Sequence, residues 1–454
     1  MKKLSLLLVV IFAFACNQEE KPQHTIISGA VDNNVGETVF VRGNGFEKRT
    51  PIDAQGTFKD TLNIPQEGFY ELYVGRERTG IYLEKGKNLN LTLDATQFDE
   101  TLNYSGDLAK ENNFLASKYL WNEQNLNYKE LFVLNEEKFK NSIAENQNSI
   151  DSLYKTQNIS NSNFKKQLDT EDKFARAVLI ENYQNAHNYY TGKTNYKVSE
   201  NFYDELKEIN YKDTIAYRNS TSYQSLLDAY FNRLVSEDTT YAEGTENVVF
   251  LKKVDAHLPD GYAKDKIMSS YLQFGLKPDE TLDEAYNIYK NSNPNPDNLA
   301  KLTERYNKLQ SLVKGKPSPT FNYENHKGGT TSLESLQGKY VYIDVWATWC
   351  GPCIREIPSL KKFEEDYKDK NIQVVSISID EPKNYDKWKK MVDDKNLGGI
   401  QLIADNNWNS KFVTDYAILG IPRFILVDPA GNIVAADAPR PSDPKLRKMV
   451  DNLL

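Results

Sequence analysis

The chain has 454 residues, enough for about three domains of ordinary size. Its 56 Lys and Arg residues are outnumbered by 64 Asp and Glu residues, and the net charge of -8 excludes a general nucleic-acid binder with a basic face. Hydrophobic residues make up 39% and charged residues 26% of the chain, which is typical of a globular protein. The three cysteines, Cys16, Cys350 and Cys353, are too few for a disulfide scaffold and leave at most one intramolecular pair.

The N-terminus predicts export. Two lysines precede an apolar run over residues 4–14 that has the length of a signal-peptide core and is too short to span a bilayer. The Ala-Phe-Ala sequence before Cys16 resembles a bacterial lipoprotein lipobox, in which the cysteine is acylated and becomes the new N-terminus. We therefore expect residues 1–15 to be removed and residues 16–23 to form a lipid-anchored tether in the cell envelope, facing the periplasm or the outer surface. Ordinary secretion after residue 15 is the alternative.

Residues 24–105 alternate with a period of two between turn sequences, which predicts an all-β domain, a small antiparallel sandwich or barrel. From 106 to 314 the apolar period shifts toward 3.6, which predicts an all-α region of six to eight helices. Its aromatic stripes are interpreted as core-facing positions rather than as a ligand groove. His187 and His257 stand alone in sequence, and no pattern with metal-ligand spacing occurs.

Residues 315–319 contain two prolines in three positions, which bars a helix and predicts an extended linker. From residue 320 to 454 strands and helices alternate, which predicts an α/β domain with a parallel strand pair joined by a right-handed crossover. The predicted elements are strands at 340–346 and 373–379, helices at 352–370, 385–395 and 444–454, and a hairpin at 424–436.

Cys350 and Cys353 lie where the strand at 340–346 gives way to a helix. At a helix N-terminus, unpaired N–H groups and the macrodipole favour a negative charge, so this position lowers the pKa of the first thiol. The second cysteine lies one turn along and can close a disulfide with the first. The spacing therefore supports a two-electron dithiol–disulfide couple.

Two other uses of the pair remain open at this point. A structural zinc site usually needs four Cys or His ligands, and once Cys16 is assigned to the anchor, His326 is the single histidine in this region. The second use is a purely structural disulfide, although a four-residue loop restricts little chain entropy.

The segment Trp346-Ala-Thr-Trp-Cys-Gly-Pro-Cys353 resembles the thioredoxin fold, in particular the exported branch typified by membrane-anchored thiol–disulfide oxidoreductases of the cytochrome c maturation type. The resemblance covers about residues 316–454. The preceding β-rich domain resembles one of unknown function that often accompanies such domains in exported lipoproteins. Pro358 lies where thioredoxins kink this helix. A Lys that thioredoxins place on the following strand is absent here, with Ser376 or a neighbour in its place.

The resemblance implies roles for individual residues. Cys350 would attack a substrate disulfide as a thiolate, and Cys353 would resolve the mixed disulfide. Asp344, which matches the buried acid of thioredoxins, and Glu356, which matches an acid of the exported branch, would help to deprotonate Cys353. The remaining positions are Trp349 beside the pair and the step Ile421-Pro422, which is expected to be cis and to pair with the substrate chain.

No cofactor beyond the redox-active disulfide and no metal is expected. The Gly-Pro dipeptide between the cysteines is that of thioredoxin, which favours a reductant. The partners expected are disulfides of exported proteins, an unidentified membrane electron donor, and the membrane itself through the lipid anchor. Two other functions are considered, namely a scaffolding or binding lipoprotein with an accessory redox domain, and a peroxidase, whose Pro-x-x-x-Thr-x-x-Cys pattern is not found around Cys350.

Overall fold

The computed structural model describes residues 24–33, 36, 38–239 and 242–454. The predicted signal peptide, the tether and Cys16 lie outside these residues. The chain divides into two compact units, the first ending at Arg233 and the second running from Leu234 to Leu454. Among the helices described, none combines the length and the apolar character needed to cross a membrane.

The N-terminal part of the first unit is a β-sheet domain. Its elements are β1 (Thr25–Asp32), β2 (Thr38–Gly43), β3 (Phe46–Pro51), β4 (Thr57–Leu62), β5 (Gly68–Val74), β6 (Glu77–Leu83), β7 (Asn88–Asp94), α1 (Phe98–Thr101) and β8 (Asn103–Ser105). They form two four-stranded sheets, ordered β4-β1-β7-β8 and β3-β2-β5-β6. Fully buried leucines from both sheets, such as Leu72 and Leu91, join one core, so the predicted sandwich is confirmed.

The prediction that this sandwich is antiparallel throughout is wrong at one pair of strands. β1 and β7 run parallel, with Ile27 opposite Leu89, and every other pairing in the two sheets is antiparallel. Two antiparallel neighbours can be joined by a tight turn, whereas β1 and β7 are separated by the five strands between them in the chain. Strand order of this kind is set by tertiary packing, and the local sequence carries no signal for it.

The central region is helical, as predicted. Its helices are α2 (Ala109–Asn125), α3 (Tyr128–Val133), α4 (Glu136–Thr156), α5 (Ser162–Thr191), α6 (Thr214–Asn219), α7 (Thr221–Glu237), α8 (Glu246–His257), α9 (Tyr262–Gly275), α10 (Leu282–Asn291) and α11 (Pro296–Gln310). The described residues thus contain ten, more than the six to eight predicted. The two shortest, α3 and α6, have six residues each and are too short to show a helical period.

The helices are divided between the two units, because α2, α4 and α5 contribute to the core of the β-sheet domain. Phe114, Ile150 and Phe164 belong to the same buried cluster as the strands. Polar side chains cap several of these helices, as when Asn135 Oδ1 accepts a hydrogen bond from the Lys138 N–H group at the start of α4. The helices α8 to α11 lie in the second unit.

The C-terminal domain has a seven-stranded mixed sheet. Its elements are β9 (Asn322–Asn325), β10 (Thr330–Ser332), β11 (Tyr340–Trp346), α12 (Gly351–Asp366), β12 (Ile372–Ser378), α13 (Tyr385–Asp394), β13 (Ile400–Ile403), α14 (Lys411–Asp415), β14 (Arg423–Val427), β15 (Ile433–Ala435) and α15 (Pro444–Asp451). The strand order is β10-β9-β13-β12-β11-β14-β15. β11 pairs in parallel with β12, as the strand–helix–strand order predicts, and antiparallel with β14.

The predicted linker at 315–319 begins with a turn at Gly315 and is hydrogen-bonded to the hairpin of β14 and β15. The Gly315 N–H group donates to the Ile433 carbonyl at 2.8 Å, and the Ser318 N–H group donates to the Gly431 carbonyl at 3.0 Å. In return the Ile433 N–H group donates to the Lys316 carbonyl at 2.8 Å. The segment therefore lies along β15, within the second compact unit.

Candidate active site

Cys350 and Cys353 form a disulfide at the N-terminus of α12, with their Cα atoms 5.3 Å apart. Cys350 is the N-cap residue, with an extended backbone, and its Sγ accepts a hydrogen bond from the Cys353 N–H group at 3.2 Å. Pro352 occupies the first turn, where a missing N–H group costs no helical hydrogen bond. The first sulfur therefore lies where unpaired backbone N–H groups can stabilise a negative charge.

The two cysteines do not differ in exposure. In the disulfide form each residue is 4% exposed. The expectation that Cys350 is the more exposed thiol concerns the reduced protein and stays a prediction. Cys350 is the N-cap residue and Cys353 lies inside the first helical turn, so the two sulfurs differ in their position on the helix.

A buried carboxylate holds the loop before Cys350. Thr348 donates to Asp380 through its N–H group at 2.9 Å and through its hydroxyl at 2.8 Å. The Ser378 hydroxyl also donates to Asp380, at 2.7 Å, and all three residues are buried. The end of β12 is thus tied to the loop that leads from β11 into α12. Sequence reasoning missed Asp380, because an acidic residue after a strand is equally typical of an exposed turn.

Replacing this carboxylate is expected to be costly. Asp380→Ala leaves the buried Thr348 N–H group and two hydroxyls without their acceptor, and an unsatisfied buried donor costs about 1–3 kcal/mol. We expect a loss of about 3 kcal/mol in the free energy of unfolding, measured by urea titration. Asp369→Ala, at an exposed position just beyond α12, is the control. A loss below about 1 kcal/mol would show that the loop does not depend on Asp380.

The Ile421–Pro422 peptide bond is cis, as predicted. Pro422 directly precedes β14, and Arg423 lies opposite Val345 near the end of β11. This register places Ile421 and Pro422 at the end of the sheet from which the loop to Cys350 emerges. Trp349 is 49% exposed, and its ring lies 6.4 Å from that of Trp408, which sequence analysis did not single out. Exposed aromatic surface beside the disulfide is suited to contact with another polypeptide.

Asp344 lies inside the domain, on β11. Burial raises the pKa of its carboxyl from 3.8 to about 7, a weak hydrogen bond from Ser376 opposes the shift, and the charges of Glu356 and Glu364 add to it. The Ser376 hydroxyl lies 3.5 Å from Asp344 Oδ2, and the two residues are paired across β11 and β12. Ser376 thus occupies the position where the resemblance places a Lys. Asp344 and Cys353 line the same small cleft.

Glu356 points elsewhere. Its carboxylate accepts hydrogen bonds from the Ser442 N–H group at 3.1 Å and from the Ser442 hydroxyl at 2.9 Å. Among the described residues, the cleft behind the disulfide is lined by Asp344, Cys353 and Glu364, but not by Glu356. The structure therefore brings one of the two predicted acids to Cys353 and supplies a second, Glu364, that sequence reasoning missed. Glu364 lies in a charged stretch of α12 that resembles a solvated helix face.

Across residues 24–33, 36, 38–239 and 242–454, no group of three or more His, Cys, Asp or Glu side chains is arranged to hold a metal ion. His326, considered above for zinc, has its Nε2 atom 3.2 Å from an Asp393 carboxylate oxygen. It contacts the edge of the Trp388 ring, 5.7 Å between ring centroids. Its surroundings are those of a hydrogen-bonded surface histidine.

Comparison with known proteins finds a family and individual proteins that are similar to the C-terminal domain. Residues 314–436 match the AhpC/TSA family. The chain is 27% identical over 124 residues to "Thiol-disulfide oxidoreductase ResA" of Bacillus thuringiensis strain Al Hakam, a match that covers 26% of this chain and 66% of that protein. It is 29% identical over 134 residues to "Thioredoxin-like protein YneN" of Bacillus subtilis strain 168, which covers 29% of this chain and 76% of that protein. The chain thus spans 66% of the length of the first of these relatives.

A likeness also exists to a solved structure, the thioredoxin domain of a thiol-disulfide oxidoreductase from Bacteroides vulgatus. It is 31% identical, covers 32% of this chain and 99% of that one, and has a TM-score of 0.29. The fold, the Cys350–Cys353 pair and the family match together define residues 320–454 as a thioredoxin-like domain. Within that class, residues 314–436 match the AhpC/TSA family, and the proteins that are similar to this chain include ResA-type thiol–disulfide oxidoreductases.

Proposed function

We propose that this protein is a membrane-tethered thiol–disulfide oxidoreductase that reduces disulfides of exported proteins through Cys350 and Cys353. The observation that carries the proposal is the position of the disulfide at the N-terminus of α12. A helix N-terminus favours the thiolate, and the thiolate is the nucleophile in disulfide exchange. The relatives' names point the same way, although they describe those proteins and not this one.

The reaction takes place in two balanced steps. The Cys350 thiolate attacks one sulfur of a client disulfide, forms a mixed disulfide and releases the other client sulfur as a thiolate. Cys353 then loses its proton and attacks Cys350, which releases the second client sulfur and closes the Cys350–Cys353 disulfide. Two electrons pass from the protein to the client. An electron donor must afterwards reduce the pair again, and we expect it in the membrane.

Client binding is proposed at the surface around the cis step. Ile421 and Pro422 directly precede β14, which pairs with β11 near the loop to Cys350, and we propose that the backbone there pairs with an extended client segment. Trp349 and its neighbour Trp408 supply apolar contact area beside the disulfide. The dipeptide Gly351-Pro352 supports the reducing direction, since thioredoxin, which has the same dipeptide, has a potential of about -270 mV.

The test is reduction of insulin disulfides by the full mature chain, with a chemical reductant regenerating the pair. We expect turnover that is lost when Cys350 is replaced by Ser. A folded wild-type protein without turnover would favour a scaffolding lipoprotein, in which the other domains bind a partner. Consumption of peroxide by the reduced protein, in the absence of disulfide reduction, would favour a peroxidase.

The tether is proposed from Cys16, which lies outside the described residues. Several acyl chains, at about 0.8 kcal/mol per buried CH₂ group, would hold the protein at the membrane. Cys16→Ser is therefore expected to move the protein from the membrane to the soluble fraction of the cell envelope, with insulin reduction unchanged. Fractionation with detection of the incorporated lipid measures this. If wild-type protein carries no lipid and is already soluble, ordinary secretion replaces the lipobox.

A further inference from the structure

The cleft behind the disulfide contains more polar groups than Cys353 and Asp344 require. It is lined by residues from β11, α12, β12 and β13, and by the loop before β13. Asp344, Ser376 and Gln401 lie on its sheet side, Glu364 on its helix side, and Gly398 in the loop before β13. The space within it that a water molecule can occupy is about 10 Å³, which is room for one.

Two buried atoms in this cleft have unused hydrogen-bonding capacity. Within the described residues, Trp346 Nε1 has no acceptor and Gln401 Oε1 has no donor, whereas Gln401 Nε2 donates to the Gly398 carbonyl at 2.7 Å. Buried polar atoms are nearly always paired with protein or with ordered water. Trp346 and Gln401 line the same cleft as Asp344 and Glu364, and a water molecule in this cleft could supply the missing hydrogen-bond partners.

Glu364 reaches this cleft because the loop before β13 has no side chain at the point of contact. A Cβ atom at Gly398 would overlap the Glu364 carboxylate, and a Cβ atom at Gly399 would lie 2.8 Å from it. Glu364 is itself half-buried, so it is not sealed off from solvent as Asp344 is. Glu365, the next residue on α12, is exposed and pairs with Lys368 at 2.7 Å.

We propose that Glu364 relays the proton of Cys353 from Asp344 to solvent, an inference that rests on the proposed function. In the mixed disulfide, Cys353–SH transfers its proton to the Asp344 carboxylate and its sulfur attacks Cys350, which releases the client thiolate. The proton then passes through one water in the cleft to the Glu364 carboxylate and from there to bulk solvent, where the client thiolate takes up a proton. Charge and atoms balance, and no further reactant is needed.

The charges around Glu364 set how this relay depends on pH. Burial raises the pKa of Glu364 to about 7, and the charge of Lys361 opposes the shift. Lys361 lies on the same helix and donates to the Lys395 carbonyl. From β11, Asp344 lines the same cleft, and burial raises its pKa to about 7 with a further contribution from the charges of Glu356 and Glu364. Two carboxyl groups that titrate near neutral pH can exchange a proton with little free-energy cost.

The experiment follows the second step alone. The reduced mature chain is treated with Ellman's reagent. Attack by Cys350 releases one coloured thionitrobenzoate and leaves a mixed disulfide on Cys350. Attack by Cys353 on that mixed disulfide then releases a second thionitrobenzoate. This leaving group needs no proton, so the second release reports on the deprotonation of Cys353. The release rate is measured by stopped flow between pH 5 and 9 for wild type, Glu364→Gln, Gly398→Ala and the control Glu365→Gln.

Glu364→Gln is expected to slow the second release about tenfold at pH 7, less than the 10²–10⁴ of a group that takes the proton directly. Because the charge of Glu364 raises the pKa of Asp344, the acid limb of the pH profile should also move to lower pH. Added imidazole should restore the rate in part by carrying the proton. Gly398→Ala, which keeps the carboxyl group but displaces it, should slow the release as well.

The outcomes separate the two proposals. A wild-type chain that shows no second release overturns the proposed function itself. A normal wild-type release with Glu364→Gln and Gly398→Ala indistinguishable from Glu365→Gln overturns the relay and leaves the oxidoreductase in place. A slower release without a shift in the pH profile and without rescue by imidazole would assign Glu364 a structural role only. If Glu364→Gln does not fold, Gly398→Ala decides by the same three criteria.

Discussion

Asp344→Asn is expected to raise the free energy of unfolding by about 4 kcal/mol at pH 8 and to change it little at pH 4. The carboxyl group has an ordinary pKa of 3.8 and a pKa of about 7 in the folded protein, chiefly because burial disfavours its charged form. Each unit of difference corresponds to about 1.4 kcal/mol between the two protonation states. Asn keeps the shape of the protonated side chain and never ionises.

The direction in which stability changes with pH follows from the protons bound by the folded and unfolded states. Between pH 4 and pH 7 the folded state holds the Asp344 proton while the unfolded state has lost it, so stability falls as pH rises through this window. The stability that protonated Asp344 contributes is fully present below the pKa of the unfolded state. It is lost as the pH rises through the pKa of the folded state. Above pH 7 the folded protein carries a buried carboxylate, and the substitution then gives its full effect.

Urea titrations of the full chain at pH 4, 6 and 8 test this prediction. Four of the five tryptophans, Trp346, Trp349, Trp388 and Trp408, lie in the C-terminal domain, so their fluorescence follows its unfolding. Asp369→Asn, at an exposed position, should stay within about 0.5 kcal/mol of wild type at each pH. Equal stability of wild type and Asp344→Asn from pH 4 to pH 8 would mean that Asp344 is a satisfied structural carboxylate.

Cys350→Ser is expected to abolish disulfide exchange, and Cys353→Ser is expected to trap clients as mixed disulfides. The first change removes the nucleophile at the helix N-cap. The second keeps that nucleophile but removes the sulfur that resolves the intermediate, so the covalent complex accumulates. Non-reducing electrophoresis of the protein exposed to insulin or to cell-envelope extracts detects the complexes, and mass spectrometry locates the bond.

The double variant with Ser at both positions is the control, since it retains the surface of the site without either sulfur. Complexes that form with Cys350→Ser instead of Cys353→Ser would reverse the two roles. A Cys353→Ser protein that forms no complex with any disulfide would remove the enzyme proposal and favour the scaffold.

Much of the architecture follows from hydrophobic sequence patterns that reflect the burial of each element. A run such as Tyr340–Trp346 is apolar on both faces because β11 is buried in the middle of its sheet. The strands that sequence analysis missed in the C-terminal domain are short, since β9, β10 and β13 have four, three and four residues. So few residues show too little of a period-two pattern to be recognised as a strand.

The site was predictable where a motif fixes the geometry and unpredictable where distant segments meet. The disulfide and the cis step at Pro422 follow from local sequence together with a family resemblance. Glu364 could not be distinguished from its charged neighbours in the sequence. Its access to the cleft depends on Gly398, and β12 and α13 lie between these two residues in the chain. Asp380 likewise acquires its role only when β12 is placed beside β11.

The reduction potential of the Cys350–Cys353 pair tests the central claim most directly. The mature chain is equilibrated with glutathione or dithiothreitol buffers of defined potential, and the fraction of reduced pair is counted by thiol alkylation and mass. A protein that reduces client disulfides should have a potential near that of thioredoxin, about -270 mV. A potential near that of a strong periplasmic oxidant, about -120 mV, would contradict a reducing function.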